Sequence, residues 1–258
     1  MPEVDAFIHS SWMIYAVLVV AAAAWIHGVM GMGFPLITIA LIAIVTDLKI
    51  AVILTVLPNI ALNLYLIAKG GNWRESLGPH WRVALYMPVG AIVGTKVLLA
   101  VPAEPLKLLL AAMILVYLNM ARVKRLEWGW LARAPRASEA GVGLFAGFLS
   151  GTVSVSIPPL VVYFMALGLA PTAMVQIMNL CFVFGKATQA ATLAWAEEIT
   201  RLTLLATVPL TLIALVFLVA GVRLRNRAHA EQYYGWLNKT LLAMALILAG
   251  QVGRAWFF

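Results

Sequence analysis

Eight apolar runs, at residues 12–46, 49–68, 81–101, 105–120, 139–168, 171–195, 202–222 and 236–257, restrict this chain to one class of fold. Roughly 20 apolar residues carry a helix across the hydrocarbon of a bilayer, so the runs leave room for about eight to ten crossings and short loops. No soluble core could hide this surface. Of the 258 residues, 64% are hydrophobic and only 11% charged, against about a quarter charged in a soluble domain. Mean hydropathy is +0.98. A transmembrane barrel would alternate polar and apolar residues in segments of about ten, and that alternation is absent. The expected fold is an all-α polytopic membrane protein.

The formal charge of +8 does not point to nucleic acid, because the basic residues sit in loops between the apolar runs. Lys and Arg placed in this way mark cytoplasmic loops. The expected location is a bacterial inner (plasma) membrane, crossed many times with the basic loops cytoplasmic and lipid as a partner. Cys181 is the only cysteine and lies inside an apolar run, so neither an intramolecular disulfide nor a cysteine metal site can form. The opening residues, Met1-Pro-Glu-Val-Asp, are acidic where a cleaved signal would be basic, and the first run reads as a retained span. No cofactor or metal is expected. No GxxxxGK[ST] loop is present, so ATP-driven pumping within the chain has no support.

Two runs, 12–46 and 139–168, are too long for one upright span, and each carries glycine and proline near its middle. The first reads His27-Gly-Val-Met-Gly-Met-Gly-Phe-Pro35, the second Gly147-Phe-Leu-Ser-Gly-Thr-Val-Ser-Val-Ser-Ile-Pro-Pro159. Such residues break a helix, so each run is expected to be two pieces around a bend. Pro35 and Pro159 are 124 residues apart, and three ordinary runs follow each broken one. The pattern predicts a duplication of roughly 110 residues. Its parts are a first repeat over 1–120, a basic linker over 121–138 and a second repeat over 139–258.

Charge then fixes the parity of the crossings. Loop 69–82 (Lys69, Arg74, Arg82), the linker (Arg122, Lys124, Arg125, Arg133, Arg136 against Glu127) and loop 221–235 (Arg223, Arg225, Arg227) are basic. The N-terminus (Glu3, Asp5) and loop 196–201 (Glu197, Glu198, Arg201) are acidic or nearly balanced. Holding the basic loops on one side requires both broken runs to return to the side they start from, as short spans or as re-entrant pairs. Three net crossings per half then invert the second repeat. Inverted repeats with broken helices are typical of secondary transporters, whose sites lie near the midplane.

At these two bends the chain resembles a known family. Gly28-Val-Met-Gly-Met-Gly-Phe-Pro35 is similar to the glycine-rich opening of the sulfite exporter TauE/SafE family. Ser150-Gly-Thr-Val-Ser-Val-Ser-Ile-Pro-Pro-Leu-Val-Val-Tyr-Phe-Met-Ala-Leu-Gly168 is similar to the opening of that family's second half. The resemblance implies transport of small, often sulfur-containing anions: sulfite, thiosulfate or organosulfonates such as sulfoacetate. Val153-Ser-Val-Ser156 departs from the glycine cluster usual before the second proline.

The residues themselves suggest how an anion would be held. A helix that restarts after a bend presents free N–H groups, which favour anions, and proline is well tolerated in that first turn, as at Pro35. Gly31 and Gly33 would let an oxyanion approach the main chain, and Thr152, Ser154 and Ser156 would add hydroxyl donors. The alternative for the glycines is close helix packing. Lys186 lies about three positions, or roughly 4–5 Å, from the middle of its run, where an ammonium costs roughly 2.5–3.5 kcal/mol. No acid within the spans can pair with it, so a bound anion is the natural counter-charge; the alternative is a lysine bonded to carbonyls of a broken helix. Lys96 reads as a snorkelling anchor. His27, the only histidine inside a span, could donate to the anion or carry a proton. Asn59 and Asn63 on one run, with Gln176, Asn179 and Gln189 on its equivalent, would furnish a polar cavity. Trp12, Trp81, Trp195, Trp236 and Trp256 suit interfacial anchors.

The expected function is alternating-access transport of a small anion, with a homodimer left open and no enzymatic activity. An anion-selective channel is the main rival, although pore selectivity usually comes from rings across subunits. A serine hydrolase using Ser150 and His27 is the remaining alternative.

Overall fold

The computed structural model describes residues 12–71, 78, 80–123, 126, 128–129, 131, 134–225, 242, 245–247 and 250. Glu3, Asp5, Arg74, Lys124, Arg125, Glu127, Arg133, Arg227, Trp236, Trp256 and most of the run 236–257 lie outside them. The described residues form helices and no strand. In chain order these are α1 (Trp12–Met30), α2 (Phe34–Val45), α3 (Leu48–Gly70), α4 (Trp81–Ala100), α5 (Ala103–Leu118), α6 (Met120–Val123), α7 (Pro135–Thr152), α8 (Ile157–Ala166), α9 (Pro171–Trp195) and α10 (Arg201–Arg225).

Among the described residues, α1, α3, α4 and α10 are long and apolar enough to cross a membrane. Their outward faces require an apolar solvent: Ile14, Leu18, Val89, Leu205 and Val216 are all exposed. Trp12, Trp81 and Trp195 stand exposed at helix ends, and Lys96 is exposed near the end of α4. α9 is as long as α10 but carries Gln176, Asn179, Lys186 and Gln189, all buried.

Both long runs break where glycine, serine and proline interrupt them. α1 stops at Met30 and α2 starts at Phe34; α7 stops at Thr152 and α8 starts at Ile157. At about 1.5 Å per residue, the 12 residues of α2 and the 10 of α8 fall well short of the roughly 30 Å of hydrocarbon. Each instead folds back. Tyr15 Oη donates to Leu41 O at 3.2 Å, bringing the end of α2 toward the start of α1. Phe164 near the end of α8 meets the ring of His80, just before α4, at 6.0 Å. Burial holds that imidazole below its usual range, with Glu139 at the start of α7 opposing the shift.

Two details differ from the sequence reading. Residues 135–138, assigned to the linker, are the first turn of α7, because Pro135 suits a helix start and Ser138 N donates to Ala134 O. The second position of α2 is Pro35 and that of α8 is Pro158, so the prolines equivalent by position within the restarted helices are 123 residues apart and not the 124 that separate Pro35 from Pro159.

The most extensive helix pairs are α4 with α7 and α1 with α10. Both are closed by glycine. Gly90 and Gly94 of α4 face Gly143, Gly147 and Gly151 of α7, and a Cβ on any of them would collide with the facing backbone. Gly28 of α1 and Gly221 of α10 meet in the same way. Small residues allow this backbone approach where lipid supplies no hydrophobic drive between helices. α3 and α9 run antiparallel across the centre. Gln176 Nε2 donates to Gly71 O at 2.7 Å at one end, and Lys49 pairs with Glu198 at the other. The topology gathers Lys69, Arg82, Arg136 and Arg223 at the first of these ends.

Candidate functional site: two helix breaks on one polar helix face

The first break is a backbone feature held by one imidazole. Gly31 and Gly33 have φ of 79° and 110°, conformations open to glycine at little cost. Gly33 has nothing within 4 Å of a Cβ placed on it, so conformation and not packing demands glycine there. Gly31 is constrained by both, since its Cβ would also press on Val175. Phe34 N–H, the first amide of α2, donates to His27 Nδ1 at 3.2 Å. The ring proton of neutral His27 therefore sits on Nε2, which is buried without a partner. Pro35 has no N–H to offer. Two of the amides expected to face an anion are thus not free at this break, and Pro158 and Pro159 remove two more at the second. That loss was readable from the sequence, because proline lacks the donor.

The second break is held by side chains of α9. Lys186 Nζ donates to Ser150 O at 3.2 Å and to Gln189 Oε1 at 2.7 Å. Gln189 Nε2 donates to Gly151 O at 2.8 Å, and Ser154 Oγ reaches Gln189 Oε1 at 3.4 Å. The ammonium thus lies against the carbonyl end of α7, where a cation complements the negative end of the helix dipole. Ser154 has φ of 61°, so it keeps the left-handed conformation that glycine would adopt. Thr152 Oγ1 donates to Phe148 O of its own helix at 2.9 Å. Ser156 is buried and makes no cap bond to α8.

One helix touches both breaks. Asn179 Nδ2 donates to Gly31 O at 3.3 Å, seven residues before Lys186, which puts the two contacts on one face about 10 Å apart along α9. The core interleaves likewise: Met32 of the first break packs against the cluster to which Ile157, Leu160 and Cys181 belong, while Val153 and Val155 of the second belong to the cluster that holds residues of α2 and α3. The structure therefore brings Gly31, Gly33, Pro35, His27 and Asn179 together around the first break. Lys186, Ser154 and Thr152 gather around the second, with Ser156 beside them in the chain. Asn59 is buried on α3, where it accepts from Asn63 Nδ2; these two amides bond each other along the helix. Gln189, three positions after Lys186 and so on the same side of α9, makes a helix-to-helix bond to Gly151 O. Ser150 Oγ and His27 Nε2 each lack a partner, so no nucleophile–base bond joins them. A cleft of about 350 Å³ opens beside Lys69 and Gly70 and reaches Gln176 and Asn179; Lys186 is not among its walls.

Neither a curated protein nor a solved structure matches the chain. A family model does, that of the sulfite exporter TauE/SafE, over residues 16–251. That match runs from the first turns of α1 through both breaks and past α10, and it agrees with a helical, multi-pass membrane architecture. The chain belongs to the sulfite exporter TauE/SafE family, a family of membrane transporters.

Proposed function

We propose that this chain is a secondary transporter that moves a small sulfur-containing anion by alternating access. Candidate anions are sulfite, thiosulfate and an organosulfonate such as sulfoacetate. The observation that carries the reading is the polar face of α9, which grips the first break through Asn179 and the second through Lys186 and Gln189. A transporter needs a site whose walls belong to both halves of the molecule, and this face meets that need. In the proposed site Lys186 supplies the positive potential, His27 Nε2–H and the hydroxyls of Ser154 and Ser156 donate, and Gly31 and Gly33 give access to the main chain. Pro35 fixes the restart of α2. Asn59 and Thr152 shape the surrounding polar wall.

The scaffold of this mechanism is an inverted repeat over 1–120 and 139–258, joined by the basic linker 121–138 on the cytoplasmic side of a bacterial inner membrane. Three features support it. Gly31 and Ser154, both left-handed, stand three residues before the starts of α2 and α8. Gly151 packs on Ala91, Gly94 and Thr95, while Gly28 packs on Leu218, Gly221 and Val222, the same spacing twice. The equivalent helices α3 and α9 are antiparallel, as an inversion requires. In proteoliposomes loaded with sulfite, thiosulfate or sulfoacetate, external labelled anion is expected to enter by saturable counterflow. Absence of trans-stimulation with all of these anions, or exchange of a cation instead, contradicts the proposal.

A further inference from the structure

We infer that the cleft at the Lys69 end of α3 and α9 selects, among small anions, those that carry their own O–H or N–H donor. The inference rests on the anion-transport reading above and specifies the substrate class at its entrance.

The cleft is walled by Lys69, Gly70, Thr172, Val175, Gln176 and Asn179, among others, and Lys69 is the single ionisable residue among the described residues of the lining. Among the described residues no carboxylate lines the cleft, and the Lys69 ammonium stands at its mouth, placed to draw an anion in. Asn179 stands at the deep side, only 1% exposed. Its amide nitrogen meets two carbonyls, Val175 O at 2.7 Å and Gly31 O at 3.3 Å. Only the NH₂ group can satisfy both, so chemistry fixes the amide orientation and leaves Oδ1 as a pure acceptor. That Oδ1 is buried and has no partner among the described residues. Gln176 repeats the arrangement, since its Nε2 is committed to Gly71 O and its remaining polar atom is also an acceptor.

The donors of both neutral amides are committed to backbone carbonyls, so a solute that reaches them from the cleft meets acceptors only. An anion with oxygen on every side would face Asn179 Oδ1 oxygen against oxygen and leave a buried acceptor unmade. An anion with a hydrogen of its own completes that bond while its charged oxygens turn toward Lys69. Leaving one buried polar group unsatisfied costs roughly 1–3 kcal/mol, which corresponds to about a 5- to 150-fold preference.

Two sulfonates of nearly equal size isolate the effect. Hydroxymethanesulfonate carries an O–H where ethanesulfonate carries a methyl group. As competitors of anion counterflow in proteoliposomes, hydroxymethanesulfonate is expected to be the stronger by roughly tenfold or more. Lys69→Met should weaken both together and keep their ratio, whereas Asn179→Leu should bring the ratio close to one. Asn179 also holds Gly31, so that variant could fail to fold; the wild-type ratio then decides alone. Equal competition by the two sulfonates, or preference for ethanesulfonate, overturns the donor requirement and leaves the transport reading intact. A protein that exchanges no anion at all overturns the transport reading itself.

Discussion

An ammonium near the centre of a spanning helix carries an insertion cost of roughly 2.5–3.5 kcal/mol, and Lys186 offsets it with Ser150 O and Gln189 Oε1. Both partners are neutral, so in the proposed site a bound anion would be the only full counter-charge. The same geometry satisfies a purely structural lysine, and one substitution separates the roles. Lys186→Met fills similar volume without charge. It is expected to lower anion affinity by about 100-fold, on the scale of a lost charged hydrogen bond, while thermal stability in detergent holds or rises because a buried charge has gone. Titration of purified protein with sulfite, followed by its thermal midpoint, reads both effects. Unchanged affinity with a large drop in midpoint would make Lys186 a prop for α7 and nothing more. Ser154 carries a different cost. Its left-handed φ of 61° is strained by roughly 1–2 kcal/mol for a residue with a Cβ, and strain retained beside a polar network accompanies function more often than packing.

At the level of elements, the helix pairs sealed by glycine set the distance between the hairpins and the rest of the molecule. Gly147 of α7 faces Met87 O and its neighbouring backbone atoms across α4, with no flexible side chain to yield. Gly147→Val is therefore expected to destabilise the protein by about 3 kcal/mol, at the upper end of ordinary overpacking, or to prevent folding. Gly141→Val, where nothing lies within 4 Å of an added Cβ, serves as the control and should stay close to wild type. Melting midpoints of the two variants in detergent check this, and equal midpoints would contradict the packing account. The elements themselves were largely legible in the sequence: α9 runs over Pro171–Trp195, the very bounds of its apolar run, and both breaks fall at the glycine, serine and proline clusters. The glycine faces of α4 and α7 were not read, because glycine spacing signals close packing only once the facing helix is known. The site was legible in its residues more than in its bonds. Lys186 stood out as a charge in an apolar run, and its bond to Ser150 O is the contact with a broken-helix carbonyl that the sequence offered as the alternative, although no residue type announces which carbonyl it meets. Proline suits the restart of α2 and α8, and the same residues withdraw amide donors from both breaks.

For the whole molecule, the account depends on motion: the two hairpins must expose one site first to one side of the membrane and then to the other. Charge parity predicted that both broken runs return to their starting side; α2 and α8 are each too short to span alone, and the side on which each run ends belongs to the proposed topology. Sequence could not tell short spans from re-entrant pairs, since helix length within a continuous apolar run depends on where packing lets the chain stop. The single native cysteine, Cys181, is buried, which leaves a quiet background for a reporter thiol. Ser154→Cys places one at the second break, next to Gln189 and without a change of charge. The most direct measurement is its alkylation in sealed vesicles by a membrane-impermeant reagent, applied separately from each side, with and without sulfite. The expected result is reaction from both sides, slowed from both by the anion. Reaction from one side only, or a rate indifferent to sulfite, would contradict alternating access at this site.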